Sequence, residues 1–460
     1  MILVIVSILL LGYVLIATAN FTNVNKAAVA MFMGTVGWVL YISYGTDFVL
    51  SQHESDYMEF LAGLTSTSAE AKLYIAQNVF LQYVGRAAEV VLFLLGTMTI
   101  VDILDNNGCF DFISELVRTR NSRHLLWSMT AATFVLSANL DNVTTTVMML
   151  VMMHKLISQR RHRLVYGCAI MLAANCGGAL TVIGDPAGLV LWNMGAVTAT
   201  DFSMSLLFPT VIAVVVPVWM LGRQLPERIS LEWNTLPYRG DDTNLNRWQR
   251  LLMLFVGIGG LWFIPTFHNI TKLSPFLGAL CVLALLWVVN EAFNRKLLNA
   301  DQMIQQRKPR VLQYGSIQLI LYVVGIMLAL GAVKETGALE QFARWCDQNI
   351  HQVYLLGFIS GLVSVTLDSF TTAVTFAYMH DVSAATEGYD ASFALNGDYW
   401  KLIAYCTAVG GSILSVGSLS GVALMKMENM RMGWFLRHFS WRVLVGWLLG
   451  MAVLALGLSF

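Results

Sequence analysis

The sequence predicts an all-α integral membrane protein of about ten transmembrane helices plus two re-entrant hairpins. These form an inverted repeat with discontinuous helices at the midplane. Three observations predict this. The chain of 460 residues is 57% hydrophobic and 12% charged, against roughly 25% charged in a soluble domain. Apolar runs of bilayer length recur from end to end. Two further apolar runs carry an acid at their centre, and the motif around that acid occurs twice.

The ten spans lie near 2–18, 27–44, 83–104, 164–194, 203–222, 251–267, 273–292, 314–333, 401–425 and 441–459. The first is followed by "ATA" at 17–19, which resembles a signal-peptide cleavage site. No basic stretch precedes it, so it reads as a retained span. A formal net charge of zero provides no global field for nucleic acid. No GxxxxGK[ST] loop marks an ATP-driven pump, and no cofactor or enzymatic activity is expected. The six cysteines lack CxxC spacing and read as small apolar fillers. The expected partners are the lipid bilayer and small cations.

The runs 124–153 and 352–379 differ from ordinary spans. As one helix the first would extend roughly 45 Å at about 1.5 Å per residue, beyond the roughly 30 Å hydrocarbon core. Arg118, Arg120 and Arg123 precede it, and Lys155, Arg160, Arg161 and Arg163 follow it. Both ends are therefore cytoplasmic by the positive-inside rule, and "ANLDN" is the tip of a hairpin. The second run has Lys334 and Arg344 before it but Glu387 and Asp390 after it, so both its ends read as external. With an external N-terminus, the external loops carry only Lys72, Lys272, Lys334 and Arg344, and the cytoplasmic loops carry most of the remaining Lys and Arg. That asymmetry fits a multi-pass protein of the inner (cytoplasmic) membrane.

The layout then repeats. Residues 1–222 give three spans, hairpin 124–153, the glycine-broken span 164–194 and one more span. A cytoplasmic linker, 223–250, leads to residues 251–460, with hairpin 352–379 and broken span 401–425 in the same order. "NLDNVTTT" (139–146) matches "TLDSFTTA" (366–373), pairing Asp141 with Asp368, Thr144 with Thr371 and Thr145 with Thr372. "GGALTVIGDPAG" (177–188) matches "GGSILSVGSLSG" (410–421) with four glycines in register, and Ser418 stands opposite Asp185. Inverted repeats with broken helices near the midplane are secondary-transporter architecture.

Gly177, Gly178, Gly184, Pro186 and Gly188 should unwind 164–194 near its middle. Pro186, which has no N–H to donate, should keep the chain unwound after Asp185. Freed carbonyls and Thr, Ser and Asn oxygens are hard ligands for a small cation. Two alternatives stand beside this: glycines can serve close helix packing, and threonines can bond back to their own helix. An intramembrane acid costs about 2.5–3.5 kcal/mol on insertion scales and so needs a partner or a function. Asp141, Asp185 and Asp368 have no Lys or Arg within the spans except Arg86 near one outer end. The same oxygens can hold either protons or Na⁺, and that competition suffices for exchange. Two cation regions are expected, around Asp141 with Asn142, Thr144 and Thr145, and around Asp368 with Thr371 and Thr372. Asp185 and Ser418 would make them unequal.

"LFLLGTMTIVDILD" (92–105), "NLDNVTTT", "AANCGGALTVIGD" and "GGSILSVGSLSGVALMKME" resemble the NhaD-type sodium/proton antiporters of the ion transporter superfamily. The resemblance runs from about residue 84 to the C-terminus. It implies a scaffold and a transport domain bearing the hairpins, a homodimer, and an elevator-like step. It maps the family's acids onto Asp141, Asp185 and Asp368, with Na⁺ held there, its Asn onto Asn175, and an acid in the third span onto Glu89. Glu89 also lies three residues after Arg86, so pairing with it is an equal reading. The chain departs from the family in reading "GDPAGL" where "GDVTTT" is usual, and "DSFT" where "DNIP" is frequent.

Other function classes are a Na⁺-coupled dicarboxylate or other anion symporter, an arsenite exporter on a similar scaffold, and a non-transporting membrane subunit. For the first, helix N-termini at the hairpin tips could hold a carboxylate. For the last, His124, His154, His351 and His380 sit at hairpin bases and in loops, and mirrored histidines suit pH sensing.

Overall fold

The computed structural model describes residues 1–22, 24–62, 65–110, 112, 119, 121–229, 245–294 and 310–458. Among the described residues, helices are the regular structure, with isolated bridges only at Asn121–Arg228 and Ser383–Ala394. The chain begins with α1 (Ile2–Thr22), α2 (Lys26–Ser43) and α3 (Leu81–Asn106), the last continuing a helical run from Ser68. Helices α4 (Ser122–Ser137) and α5 (Asn142–Leu156) follow, then α6 (Arg160–Leu180), α7 (Pro186–Asn193) and α8 (Ala199–Gly222). The second half has α9 (Gly260–Thr271), which ends a run from Arg247, then α10 (Pro275–Asn294) and α11 (Arg310–Glu335). It continues with α12 (Val353–Thr366), α13 (Ser369–Ala377), α14 (Asp398–Gly410), α15 (Leu419–Met427) and α16 (Trp441–Leu458). Residues 230–244 of the expected linker 223–250, and most of the basic loop 293–313, lie outside the described residues.

Nine helices among the described residues are long and apolar enough to cross a membrane, which makes this a multi-pass membrane protein. The sequence suggested ten. The difference is 401–425, which divides into α14 and α15, each too short to cross. The runs 124–153 and 352–379 are likewise helix pairs, turning at 138–141 and 367–368.

Peripheral helices face outward with apolar side chains. Leu3, Leu10, Leu11 and Val14 of α1 and Trp262 and Phe263 of α9 are exposed, as lipid-facing residues should be. The centre is different. In α6 every residue from Val165 to Ala179 is buried, and in α14 every residue from Tyr399 to Gly410 is. Small residues permit the closest crossings. A Cβ on Gly325 of α11 would lie 2.5 Å from the Ala30 carbonyl carbon of α2, and one on Gly450 of α16 would lie 2.6 Å from the Pro209 oxygen of α8. Five of the six cysteines are buried and all are free; Cys281 is exposed.

Two details correct the sequence reading of span 164–194. Helix α6 runs unbroken through Gly177 and Gly178 to Leu180, so the interruption is confined to 181–185. Gly177 serves packing instead: a Cβ there would stand 2.3 Å from the Phe134 carbonyl oxygen. Pro186 does not prolong the irregular segment. It is the first residue of α7, where its missing N–H costs nothing and its fixed φ suits the helix.

Candidate functional site

Each helix that restarts inside the protein begins on a side-chain cap. The first N–H groups of a helix have no intrahelical acceptor, so a buried restart needs one. Asp141 caps α5, with Oδ2 accepting from Thr144 N at 2.9 Å and Thr144 Oγ1 at 3.0 Å. Asp368 caps α13, accepting from Thr371 N at 3.4 Å. Asp185 caps α7 through Ala187 N at 2.9 Å, and Ser418 caps α15 through Gly421 N at 3.1 Å. Asp141, Asp185 and Asp368 are 4%, 5% and 1% exposed, so water does not solvate them from outside.

The two halves share local geometry around these caps. Ser137 Oγ donates to Ala174 O and Ser364 Oγ donates to Thr407 O, both at 2.6 Å, docking each helix pair on the broken helix behind it. Gly184 and Gly417 admit that docking. A Cβ on either would fall 2.7 or 2.6 Å from the carbonyl oxygen of Ser137 or Ser364.

Other bonds tie the first break to its own helix pair and join the halves. Asn142 Nδ2 donates to Asp185 Oδ2 at 3.1 Å. Asn175 Nδ2 donates to Ser412 Oγ at 2.8 Å and Ser418 Oγ at 3.0 Å, carrying α6 onto the second break. Ser420 Oγ donates to Asn142 O at 3.4 Å. Asp185 lies within electrostatic reach of both Asp141 and Asp368. The three acids nevertheless form no single ligand shell: no group of three or more His, Cys, Asp or Glu is placed to hold a metal ion among the described residues.

Among the candidate site residues, four buried oxygens have no hydrogen-bond partner, Asp141 Oδ1, Thr145 Oγ1, Asn175 Oδ1 and Thr372 Oγ1, as do a few hydroxyl and amide oxygens elsewhere, such as Ser122 Oγ and Asn193 Oδ1. Neighbouring hydroxyls behave differently. Thr146 Oγ1 returns to Asn142 O at 2.7 Å and Thr375 Oγ1 to Thr371 O at 2.6 Å, as threonines in helices commonly do. An orphaned buried oxygen costs about 1–3 kcal/mol, and a hard cation with oxygen ligands would repay it. Thr145 and Thr372 occupy matching positions.

The remaining candidates divide. Thr144 donates to Asp141, and Thr371 Oγ1 is bonded to the Tyr322 phenol of α11, so both position acids. Glu89, half-buried on α3, makes no hydrogen bond or ion pair with this cluster among the described residues, nor one with Arg86. Arg86 lies over the Tyr83 ring at 5.6 Å. At the far ends of the helix pairs, His154 meets Glu428 at 3.0 Å and His380 meets Asp347 at 3.2 Å.

Sequence reasoning missed Tyr322, whose Oη also donates to Asp368 Oδ2 at 3.3 Å from 46 residues away. It missed Ser412 and Ser420, which carry no signal beyond lying within the repeated glycine motif. It also missed Lys26, which falls between the expected spans 2–18 and 27–44, although its ammonium is buried and within electrostatic reach of Asp368. A lysine opening an apolar helix with no acid in its first turn was the available signal.

Comparison with known proteins places the chain in a transporter family. The CitMHS family, described as citrate transporter, matches residues 13–410. The chain belongs to the CitMHS family of transporters. Among its relatives, sodium/proton antiporter 1 of Arabidopsis thaliana is 32% identical over 375 residues, 80% of this chain. The chain spans 62% of that relative's length. Sodium/proton antiporter 2 of the same plant is 28% identical over 441 residues, 96% of each chain. The Na⁺/H⁺ antiporter NhaD of Vibrio parahaemolyticus is 26% identical over 380 residues, 77% of this chain and 86% of the relative. As a CitMHS member the chain is a transporter and not an enzyme.

Proposed function

We propose that this CitMHS protein is a secondary active transporter exchanging Na⁺, and Li⁺ with it, for H⁺ across the cytoplasmic membrane. The observation that carries the reading is the set of four partnerless buried oxygens on Asp141, Thr145, Asn175 and Thr372. They accompany two further buried acids, Asp185 and Asp368, and are hard donors that would take either a small cation or, at the carboxylates, a proton. Bound Na⁺ and bound protons then exclude each other, which couples their movements. The relatives' names support the same choice of ions.

The matched caps, docking bonds and glycine contacts of the two halves support an inverted repeat. Residues 1–222 form its first unit and 251–460 its second. Helices α4–α5 enter from the cytoplasm, α12–α13 from outside, and the N-terminus is external. Asp141 with Thr145 and Asn175 forms one cation region, and Asp368 with Thr372 the other. Thr144, Thr371, Asn142 and Ser418 orient them. Glu89, bonded to neither among the described residues, serves proton access. The resemblance to NhaD-type proteins adds a homodimer to the proposal.

Citrate, named in the family description, is the second reading. A citrate carboxylate would use the positive ends of helices that restart inside the protein. Here α5, α7 and α13 each have that end occupied by the chain's own aspartate. Cation exchange is therefore favoured. Everted vesicles from an antiporter-deficient host, with an imposed ΔpH and a fluorescent pH probe, test this. Na⁺ and Li⁺ should dissipate ΔpH, whereas K⁺ and citrate should not. A response to citrate that requires Na⁺ would replace exchange with symport.

A further inference from the structure

Lys26 is placed where neither helix physics nor membrane physics favours a lysine. It is the first residue of α2, whose cap is Asn25, accepting from Ala27 N at 2.9 Å. Positive charge at a helix N-terminus opposes the helix dipole, and no acid in the first turn offsets it. A lysine at the end of a membrane helix ordinarily runs its chain out so that the ammonium reaches water. The Lys26 Nζ is instead enclosed by protein and has no hydrogen-bond partner. A buried charge persists when an opposite charge compensates it. Helix α2 packs along α11, where Gly325 stands against Ala30 one turn beyond Lys26, and Tyr322, nearly a turn before Gly325, donates to Asp368. That packing brings Lys26 within electrostatic reach of Asp368 without a direct ion pair, and Lys426 in the last turn of α15 repels it. Lys426 is exposed and Asp368 is 1% exposed, so the buried counter-charge is Asp368.

We propose that Lys26 is a tethered cation: it balances Asp368 when no Na⁺ is bound there and competes with Na⁺ for it. The inference rests on the cation-exchange reading above and adds a residue that sets ion affinity. Sodium arriving at Asp368 meets a fixed positive charge, so it binds more weakly and leaves more readily than at an uncompensated carboxylate. Tyr322 holds Asp368 in place from α11, so the competition is decided by charge and not by movement of the acid. The Asp141 region, where no lysine or arginine acts on the carboxylate among the described residues, would lack this competitor.

The full chain is reconstituted in proteoliposomes, and Na⁺-driven pH change gives the half-saturating Na⁺ concentration at one fixed pH. Lys26→Gln should lower that concentration on the order of tenfold, the scale of one unit charge acting on another in a partly desolvated site, and should reduce the maximal rate. Lys26→Arg and Lys426→Gln should each stay within about twofold of the parent, as expected for a kept charge and for an exposed, screened one. An unchanged or raised half-saturation in Lys26→Gln overturns the proposal. So does an equal shift in Lys426→Gln, because surface charge would then be the cause. If the parent itself shows no Na⁺ response, the exchange reading fails and this inference with it. Thermal unfolding in detergent provides a readout independent of transport. Lys26→Gln leaves Asp368 uncompensated, so the double variant with Asp368→Asn should unfold at a higher temperature than Lys26→Gln alone. Additive effects of the two substitutions would remove the pairing.

Discussion

The side-chain amide of Asn142 donates to Asp185 Oδ2 at 3.1 Å, tying the first residue of α5 to the cap of α7. The corresponding residues in the second half are Ser369 and Ser418, and no hydrogen bond between their side chains is present among the described residues. Ser369 instead donates its backbone N–H to Gly417 O at 3.0 Å. The first break is thus joined through a carboxylate and the second through backbone.

Asn142→Ala should therefore be more damaging than Ser369→Ala. It leaves Asp185 Oδ2 buried without its donor, a loss of about 1–3 kcal/mol. Thermal unfolding of the purified protein should show a lower midpoint for Asn142→Ala than for Ser369→Ala. Equal midpoints would mean that the amide is dispensable.

Asp185→Asn separates charge from capping, because an amide oxygen can still accept from Ala187 N. This variant should fold normally, yet its half-saturating Na⁺ concentration should vary less with pH than the parent's. Ser418→Ala removes a hydroxyl with no titrating group, so it should raise that concentration and leave its pH dependence intact. A Na⁺ titration of both variants across a pH series in proteoliposomes checks the contrast.

A histidine outside the spans gives a pH-dependent stability term. His53 Nε2 meets Glu335 Oε2 at 2.7 Å, while Tyr83 Oη donates to Glu335 Oε1 at 2.7 Å. The hydrogen bond to Glu335 raises the His53 pKa above its ordinary 6.5, with burial opposing. A group whose pKa is raised on folding stabilises fully below its unfolded value and loses that contribution as pH climbs through the raised one. His53→Gln should therefore unfold at a lower temperature than the parent below pH 6.5. The two melting curves should converge as the medium becomes alkaline.

Much of the site was legible because its residues are anomalous in an apolar chain. Asp141 and Asp368 interrupt runs that otherwise leave water, and Gly184 and Gly417 mark places where a Cβ would strike a carbonyl. The misses have specific causes. Pro186 is compatible with a helix start as well as a break, and sequence alone did not distinguish them. Gly177 sits in an intact helix because its smallness is used against Phe134, which lies 43 residues earlier. Tyr322 and Lys26 carry no local sign of their partner: Tyr322 bonds Asp368, and Lys26 comes within its electrostatic reach, only through tertiary packing, and Lys26 by position resembles an ordinary loop base.

Topology can be tested at exposed residues beyond the two helix pairs. Ser158 follows α5 and Ala384 follows α13, and both are exposed. With α4–α5 entering from the cytoplasm and α12–α13 from outside, Ser158→Cys should react with an impermeant maleimide only in everted vesicles. Ala384→Cys should react only in intact cells. Labelling of both from one side would remove the inverted arrangement.

Thr145 and Thr372 give the sharpest test of the ion site, because structure and function predict opposite signs. Each hydroxyl oxygen is buried and partnerless. Valine has nearly the same shape and no oxygen, so Thr145→Val or Thr372→Val relieves an unsatisfied group and should leave thermal stability unchanged or improved. If the oxygen coordinates Na⁺, the same change removes a ligand and should raise the half-saturating Na⁺ concentration about tenfold, equivalent to about 1.4 kcal/mol. Thr146→Val is the control, since Thr146 Oγ1 is bonded to Asn142 O at 2.7 Å and is not free to coordinate. It should leave Na⁺ affinity close to the parent's. Stability that holds while affinity falls, at Thr145 and Thr372 but not at Thr146, would identify the hydroxyls as ion ligands. Unchanged affinity in both would confine the cation to carboxylate and carbonyl oxygens.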